Sequence, residues 1–336
     1  PAEGAATMKY RQLGSTGIEV SELVFGAGAV GGIVFQPDRE TRLGAVRRAL
    51  NAGVNWIDTA PGYGDGQSEE NLGWILKEVD SEPYISTKVR IGADHLADIP
   101  GEIQRSMEAS LERLQRESVD LIQLHTAVTR ERGAQRGSVS IDDVLGDGGV
   151  LAGFERMRDQ GLANLFGFTG FGDTDCLHTL IQSGRFNSVQ TYYNLLNPSA
   201  GRTVPAGFSA HDYGNLIALA HENGVGILNI RVLAAGAIAG QDPSGGPAPG
   251  ISPGSSAADD MRRAAKVADA LAGQEGTMAQ TAVRYSLTNP GVSGVLVGFK
   301  VLSHIDEALA AVDMGPLSDD TMGRLDELYE SDFGDI

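Results

Sequence analysis

Cysteine is almost absent from the sequence, which contains Cys176 alone among its 336 residues. A single thiol cannot form an internal disulfide, and it cannot supply the several thiolates of a cysteine metal cluster. The scarcity of cysteine favours a reducing compartment. We expect Cys176 to lie on a helix or in a loop, without a chemical role.

Basic residues and long apolar runs are also scarce. The chain has 26 Lys and Arg against 44 Asp and Glu, which gives a formal net charge of −18. This charge disfavours nucleic acids and anionic membranes as partners, because neither phosphate-rich surface attracts an acidic protein. No apolar run approaches the roughly 20 residues of a membrane helix, and PAEGAATMKYRQLG does not read as a secretory signal. We therefore expect a soluble, cytoplasmic protein, with residues 1–7 as a tag or disordered tail before Met8.

Eight short apolar, β-branched segments recur along the chain. Each is apolar on both faces, which is typical of strands in a buried parallel sheet. In chain order the segments are SELVFGAGAV, VNWIDTA, PYISTKV, VDLIQLHT, LANLFGFTGF, SVQTYYNLL, GILNIRVL and SGVLVGF. We refer to them as the first to eighth predicted strands.

Helical patterns lie between these segments. Apolar residues recur at helical spacing in three of them: Leu43, Val46 and Leu50; Ile103, Met107, Leu111 and Leu114; and Ile305, Leu309 and Val312. Several helices are expected to end at a glycine in the left-handed conformation, at Gly53, Gly161 and Gly224. Strands and helices therefore alternate along most of the chain.

Eight strand-helix alternations in a chain of this length predict an α/β fold of the (β/α)8 TIM-barrel type. An open doubly wound sheet is the competing architecture, since FGAGAVGGIV has a glycine spacing loosely like a dinucleotide fingerprint. However, the next helix is expected only near Asp38, and no acidic residue follows a clear second strand in the right context. We therefore predict a single barrel domain over residues 8–336.

Three segments fall outside the alternation. MKYRQLGSTGIEVSEL has two short strand-like pieces around a glycine-containing turn, which predicts a hairpin closing one end of the barrel. Two long loops follow the fourth and seventh strands, Ala127–Gly149 and Gly240–Asp260. Both would overhang the carboxyl ends of the strands, either as lids over an active site or as surface insertions.

Polar residues stand at the ends of three successive predicted strands. The second strand ends at Asp58 and leads to Tyr63, the third ends at Lys88, and the fourth ends at His125. An unpaired charge would be costly to bury there, so mutual pairing is the simplest explanation. Since the carboxyl ends of parallel strands meet on one face of a barrel, we expect the four side chains to lie close together.

These four residues suit proton transfer to a carbonyl group. Asp58 can pair with Lys88, and an ammonium near the Tyr63 hydroxyl would favour the phenolate and make this tyrosine a usable general acid. His125 can orient the carbonyl as hydride arrives at its carbon. Taken singly, the residues also fit a barrel-bottom ion pair, a core or interface tyrosine, and a strand-end histidine with satisfied hydrogen bonds. Their combination at successive strand ends favours catalysis.

The segments IDTAPGYG, ISTKV and DLIQLHT, in this order and spacing, resemble the Asp, Tyr, Lys and His tetrad of the aldo-keto reductase superfamily. The resemblance covers nearly the whole chain, from YRQLGSTGIEVSEL to the C-terminal helices. It implies a (β/α)8 barrel that uses NADP(H) or NAD(H) without a Rossmann domain and without a metal. It also implies hydride transfer between the nicotinamide and an aldehyde, ketone, alcohol or sugar, with catalytic roles for Asp58, Tyr63, Lys88 and His125.

The resemblance implies the positions of the cofactor contacts as well. Gly28 and Ala29 would lie near the nicotinamide, and Thr169 and Gln190 would hold its carboxamide. The other implied contacts are Leu233, Ala235 and Gly236 at the pyrophosphate, and Gly298, Lys300, His304 and Glu307 at the adenosine end. Ser303 and Asp306 form a capping-box pattern in the last segment, so a helix N-terminus would offer backbone N–H groups to an anion.

Three positions depart from the family pattern. Thr169-Gly170 stands where many members have Ser-Asn, and Ile230, followed by Arg231, stands where a tyrosine usually stacks on the nicotinamide. His304 stands where an arginine often contacts the 2′-phosphate, which leaves Lys300 as the main cation. Lys300 and His304 suit a phosphate, so we expect NADP(H) as the cofactor, with NAD(H) as the alternative.

A barrel does not fix a function, and two other classes stay open. A Schiff-base aldolase would use Lys88 as its nucleophile, although a neighbouring Asp58 opposes this by keeping the lysine protonated. A regulatory module would keep the nucleotide with little turnover, as channel-associated relatives in the superfamily do. We expect a small carbonyl compound or a sugar as the substrate, contacted by Val30 or Trp56, and a monomer or weak homo-oligomer.

Overall fold

The computed structural model describes residues 8–240 and 255–335, and the predicted tail, residues 1–7, lies outside these ranges. Two short strands, β1 (Tyr10–Gln12) and β2 (Glu19–Ser21), pair antiparallel as the predicted hairpin. The strands that follow are β3 (Leu23–Gly26), β4 (Trp56–Asp58), β5 (Tyr84–Val89), β6 (Val119–Leu124), β7 (Ala163–Thr169), β8 (Ser188–Tyr192), β9 (Gly226–Ile230) and β10 (Gly294–Gly298). Each strand from β3 to β10 lies within one of the predicted segments.

Strands β3 to β10 close into a parallel barrel in chain order, because β10 pairs with both β9 and β3. The register places Asp58 of β4 opposite Ser86 of β5, and Lys88 of β5 opposite Gln123 of β6. The prediction of a (β/α)8 barrel is confirmed, and the open doubly wound sheet is excluded. This register brings the carboxyl ends of β4, β5 and β6 together on one face.

Helices connect the strands and surround the barrel. They are α1 (Arg39–Asn51), α2 (Gln67–Glu78), α3 (Ile99–Leu114), α4 (Ile141–Leu145), α5 (Val150–Asp159), α6 (Thr174–Gln182), α7 (Leu216–Glu222), α8 (Ala257–Ala270), α9 (Met278–Thr288), α10 (Leu302–Met314), α11 (Asp319–Glu330) and α12 (Asp332–Asp335). The three apolar patterns lie on α1, α3 and α10 and pack on the core. Gly53, Gly161 and Gly224 follow α1, α5 and α7 with φ of 94°, 72° and 69°, as predicted. No helix in the described ranges combines the length and apolarity that crossing a membrane requires.

The hairpin closes the amino-terminal end of the barrel. Leu13 is fully buried there together with Trp56, in a small core inside the barrel. The guanidinium of Arg11 donates three hydrogen bonds to backbone carbonyls of α9 and the loop after it. Gly14 approaches the start of β9 so closely that a Cβ would meet the carbonyl oxygen of Gly224 at 2.3 Å. The functional face is therefore the opposite one.

The structure describes the first of the two long loops in full and the second only at its two ends. The loop Ala127–Gly149 contains α4 and a bridge between Val128 and Val139, and none of its residues lines the cavity described below. This placement favours a surface insertion over a lid. The second loop, Gly240–Asp260, lies mostly outside the described ranges, because residues 241–254 are not among them. The last residues of this loop form the start of α8.

Cys176 lies on α6, where its side chain is buried. Burial, and then the carboxylates of Asp175 and Asp173, raise the pKa of its thiol. A raised pKa lowers the fraction of reactive thiolate, so this position suits a packing residue.

Candidate active site

A buried ion pair lies at the carboxyl ends of β4 and β5. Lys88 Nζ is 2.5 Å from Asp58 Oδ2, and the two side chains are 1% and 2% exposed. Removing two charges from water is costly, and only close pairing with further hydrogen bonds offsets the cost. The predicted pairing is present, and it lies at the open face of the barrel and not at its closed end.

The second carboxylate oxygen of Asp58 is also occupied. Oδ1 accepts hydrogen bonds from Ser86 Oγ at 2.8 Å, Gln123 Nε2 at 3.1 Å and Gln190 Nε2 at 2.7 Å. The Ser86 hydroxyl in turn accepts a hydrogen bond from Trp56 Nε1 at 3.0 Å. These interior donors fix the carboxylate and, through it, the position of the lysine ammonium.

The ammonium of Lys88 has a partner for each of its three donors. Besides Asp58, it donates to the Thr59 carbonyl oxygen at 2.8 Å and to Tyr63 Oη at 3.1 Å. Burial opposes its charge, but the Asp58 carboxylate and the Tyr63 hydroxyl raise the pKa of Lys88 above its ordinary value. Lys88 is therefore a cation, and the Tyr63 hydroxyl, which accepts its hydrogen bond, keeps its own hydrogen for another partner.

His125 follows β6 directly and is half-buried, and it lines the cavity described below on the same face. The ring lies edge-on to Tyr63, with centroids 6.1 Å apart, and near-parallel to Phe171, with centroids 5.9 Å apart. Burial, and then the cation of Lys88, lower the pKa of His125 to about 3. At neutral pH the imidazole is uncharged, so one ring nitrogen donates a hydrogen bond and the other accepts one.

The depressed pKa of His125 predicts a contribution to stability that is lost in acid. A histidine in the unfolded chain takes up a proton near pH 6.5, whereas the folded ring does so near pH 3. Between these values the unfolded chain binds more protons, so stability falls as the pH is lowered, by about 2 kcal/mol at pH 5. Above about pH 6.5 the contribution is complete. His125→Asn is expected to lose this part of the pH dependence.

Urea unfolding of the wild type and of His125→Asn, near neutral pH and near pH 5, measures the effect. His221→Asn is a matched control at an exposed position of α7, and it should keep the wild-type pH dependence. If the free energy of unfolding fell by the same amount between neutral pH and pH 5 in the wild type and in His125→Asn, the result would contradict a low pKa for this ring.

A cavity of about 1010 Å³ opens at this face, and Asp58, Tyr63 and His125 lie on its wall. Every residue predicted to contact the cofactor lines it: Gly28, Ala29, Thr169, Gln190, Leu233, Ala235, Gly236, Gly298, Lys300, His304 and Glu307. Val30, predicted as a substrate contact, also lines the cavity and is 37% exposed. The volume lies at the upper end for small-molecule pockets, so it can hold a cofactor beside a small substrate.

Small residues and one unsatisfied hydroxyl shape the cavity wall. Thr169 Oγ1 is buried and has no hydrogen-bond partner within the described ranges, which is unusual for a polar atom unless a ligand supplies one. At Gly28 a Cβ would touch the Tyr63 ring at 3.4 Å, so glycine leaves that side of the ring open. Gly298 lets the loop after β3 approach β10, since a Cβ there would meet the carbonyl oxygen of Val30 at 2.0 Å.

The departures from the family pattern lie on this wall or beside it. Gly170 donates its N–H to the carbonyl oxygen of Gln190 at 2.7 Å, and a Cβ at Gly170 would lie 3.0 Å from that oxygen. Ile230, at the end of β9, lines the cavity with an apolar side chain, and Arg231 lines it next to Ile230. Close packing against Gln190 therefore explains the glycine at position 170. Ile230 and Arg231, in contrast, change the chemistry of the cavity wall.

Trp56 does not line the cavity. Its side chain is fully buried and packs with Leu121 and Leu228 in the small core inside the barrel. The prediction of a substrate contact is not supported, because no part of the indole is exposed. Trp56 instead supports the carboxylate of Asp58 through the hydroxyl of Ser86.

The predicted cap of α10 is wrong. The helix begins at Leu302 after Val301, whose backbone is extended, and no side chain of the described residues caps the first turn. Ser303 lies inside the helix, and Asp306 pairs with Arg48 of α1 at 2.6 Å. Without a side-chain cap, the N–H groups of the first turn can bind an anion.

Sequence reasoning missed the part of the wall that α8 and the start of α9 contribute. The cavity-lining residues there are Met261, Ala264, Ala265, Ala268, Thr277, Met278 and Ala279. The four on α8 recur at i, i+3, i+4 and i+7, which is the spacing of one helix face. That spacing is the sequence signal that predicts a buried or cavity-lining face on this helix.

Curated relatives match over most of the chain. L-galactose dehydrogenase from Arabidopsis thaliana is 28% identical, with 91% of this chain and 88% of the relative covered. Versiconal hemiacetal acetate reductase from Aspergillus parasiticus is 26% identical, with 96% and 97% covered. A protein from A. thaliana named as a probable voltage-gated potassium channel subunit beta is 27% identical, with 92% and 93% covered.

A solved structure and a family comparison agree with the fold. An aldo-keto reductase from Bacillus halodurans, in its holo form, matches with a TM-score of 0.74 over 96% of this chain and 97% of that chain, at 21% identity. The sequence pattern of the Aldo/keto reductase family matches residues 22–330. This match spans the barrel, the ion pair and the cavity wall, and the chain therefore belongs to the aldo/keto reductase family.

Proposed function

We propose that the protein is an NAD(P)H-dependent carbonyl reductase, or in the reverse direction an alcohol or sugar dehydrogenase, with Tyr63 as its general acid and base. The observation that carries the proposal is the Lys88 ammonium, held between Asp58 and Tyr63 beside a cavity of about 1010 Å³. Relatives named as a dehydrogenase and as a reductase support it.

The protein's own residues supply and orient the proton. When bound, the nicotinamide supplies hydride to the carbonyl carbon or takes it from the alcohol carbon. The hydroxyl of Tyr63 donates its hydrogen to the carbonyl oxygen, and the Lys88 ammonium, 3.1 Å away, stabilises the phenolate that remains. The neutral imidazole of His125 donates a hydrogen bond to the same oxygen. In alcohol oxidation the phenolate accepts the hydroxyl proton.

The cavity wall fits a nicotinamide nucleotide. The unsatisfied hydroxyl of Thr169 and the amide of Gln190 suit the carboxamide. The segment Leu233–Gly236, which has only alanine and glycine after its leucine, suits the pyrophosphate. The uncapped N-terminus of α10 lies beside Lys300 and His304, which suits the 2′-phosphate of NADP(H). NADP(H) is the proposed cofactor and NAD(H) the alternative.

Replacement of Lys300 is expected to weaken NADPH binding selectively. Lys300 is exposed at the cavity edge, so Lys300→Ala should raise the Kd for NADPH about 10-fold, the low end for a hydrogen bond between charged groups. The Kd for NADH should change much less, because NADH lacks the 2′-phosphate. Quenching of tryptophan fluorescence measures both values without turnover. Lys77→Ala, at an exposed position of α2, is the control, and an unchanged preference in Lys300→Ala would contradict NADP(H) selection by this lysine.

The test of the proposed function is protein-dependent consumption of NADPH and NADH with a panel of aldehydes, ketones and sugars. The reverse reaction is followed with the alcohols and the oxidised cofactors. Turnover in either direction supports a reductase or dehydrogenase. Binding of both cofactors without any turnover would reject it and favour the regulatory alternative, which relatives named as channel subunits make worth testing.

The Schiff-base alternative is disfavoured by the state of Lys88. Its pKa is raised and its three donors are occupied, so it offers no lone pair to a carbonyl carbon. Borohydride treatment in the presence of the carbonyl panel should therefore leave the mass of the protein unchanged. A stable adduct on Lys88 would revive the aldolase interpretation.

A further inference from the structure

Arg231 brings a positive charge to the cavity wall immediately after β9. Its backbone has a φ of 59°, in the left-handed region that is unfavourable for a residue with a side chain. The Arg231 carbonyl oxygen accepts hydrogen bonds from Asn194 Nδ2 and from the N–H of Ala234, both at 2.9 Å. The chain is therefore held in a strained conformation at the point where this side chain enters the cavity.

Among the described residues, the guanidinium of Arg231 has no carboxylate partner. In the ranges that the structure describes, no Asp or Glu oxygen lies within 4.0 Å of it, and its Nη1 atom is buried without a hydrogen bond. Its neighbour is the ring of Tyr192, whose centroid is 6.0 Å from Cζ. Arg231 as a whole is half-buried at the cavity wall, so an anionic ligand that reached its guanidinium would gain a charge-assisted hydrogen bond.

Aromatic rings connect this cation to the proposed reaction site. The Tyr192 ring lies 5.7 Å from Phe171, and Phe171 lies 5.9 Å from His125, between ring centroids. The charge of Arg231 is also close enough to contribute to the lowered pKa of His125. Arg231, Phe171 and His125 all line the cavity, with His125 beside Tyr63 and Arg231 at the far end of the aromatic contacts.

We propose that Arg231 binds an anionic group of the substrate, so that the site selects carbonyl compounds carrying a carboxylate or phosphate. The guanidinium would pair with the oxyanion while the carbonyl oxygen reaches Tyr63 and His125. This proposal rests on the proposed function, since it assigns the substrate class of that site. The cofactor's pyrophosphate is a second source of the same chemistry, because Leu233–Gly236 follows Arg231 directly.

The test compares anionic aldehydes with neutral isosteres in the full-length protein. The probes are 4-formylbenzoate and 4-oxobutanoate, each against its own primary amide, under saturating NADPH. Wild type should prefer the acids, and the ratio of kcat/KM for acid over amide should fall at least about 10-fold in Arg231→Met, with part of it kept in Arg231→Lys. Arg105→Met, at an exposed position of α3, is the control and should keep the wild-type ratio.

Binding without turnover separates this proposal from the proposed function. Benzoate and succinate are titrated into protein saturated with NADP⁺, and the expected binding should be lost in Arg231→Met even if no carbonyl compound is reduced. An acid-to-amide ratio that stays within about twofold, or equal anion binding by wild type and Arg231→Met, overturns the proposal. A weaker Kd for NADPH in Arg231→Met with an unchanged ratio also overturns it and assigns the arginine to the pyrophosphate.

Discussion

Tyr63→Phe is expected to bind NADPH as tightly as the wild type and to lower kcat at least about 100-fold. The substitution removes one hydroxyl and leaves the Lys88 ammonium its bonds to Asp58 and to the Thr59 carbonyl oxygen. The ion pair and the barrel are therefore retained, whereas the proton donor to the carbonyl oxygen is lost. Steady-state rates with any active substrate, together with the Kd from fluorescence, separate the two effects.

Tyr84→Phe is the matched control for the loss of a tyrosine hydroxyl. Tyr84 lies at the start of β5, at the closed end of the barrel, where its ring packs on Trp56 at 5.3 Å between centroids. We expect Tyr84→Phe to keep the wild-type kcat. If Tyr63→Phe folds, binds the cofactor and reduces carbonyls at the wild-type rate, the proton donor is a group other than Tyr63.

Lys88→Met is expected to lower the free energy of unfolding by about 3–5 kcal/mol. It leaves Asp58 buried with a negative charge that no cation neutralises, while Ser86, Gln123 and Gln190 still point their donors at it. Because the lost stability comes from the unpaired charge of the Asp58 carboxylate, the double variant Lys88→Met/Asp58→Asn should regain much of the free energy of unfolding. Urea unfolding of the two single variants, the double variant and the wild type gives the coupling free energy.

The same four proteins distinguish a structural role from a catalytic one. Lys88→Met/Asp58→Asn should remain without turnover, because the Tyr63 hydroxyl no longer has an ammonium beside it to stabilise the phenolate. Arg113→Met, which leaves the buried Glu69 without its cation on the outer side of the barrel, is the control. Arg113→Met should lose stability but keep kcat at temperatures where it is folded. Stability in Lys88→Met equal to that of the wild type would show that Asp58 does not carry a charge in the fold.

The strand-end residues were predictable because their signal is local. Asp58, Lys88 and His125 each follow a run of apolar residues, and burying such groups singly would cost too much free energy. The argument required only that parallel strands present their carboxyl ends on one face. The structure confirms the contact between Asp58 and Lys88 and places Tyr63 within hydrogen-bond distance, while the roles of these residues remain predictions.

Trp56 shows where local pattern stops being sufficient. Trp56 and Asp58 are two residues apart on β4, so both side chains point into the barrel. The rise along a strand, about 3.3 Å per residue, puts the indole one layer below the carboxylate and out of the cavity. The sequence spacing predicted which side chains of β4 point into the barrel. It did not predict how deep the cavity reaches along the barrel axis.

The barrel, the hairpin, the main helices and the strand-end ion pair followed from the sequence, because periodicity, turn residues and the cost of burying charge act over a few neighbouring residues. The α8 side of the cavity, the depth of Trp56 and the position of Arg231 beside the aromatic wall did not. Each of these depends on packing between elements far apart in the chain, such as α8 against the segment after β9 or β9 beside β8. Side-chain volumes at those contacts decide which residues face the cavity, and a single sequence does not encode them in any local pattern.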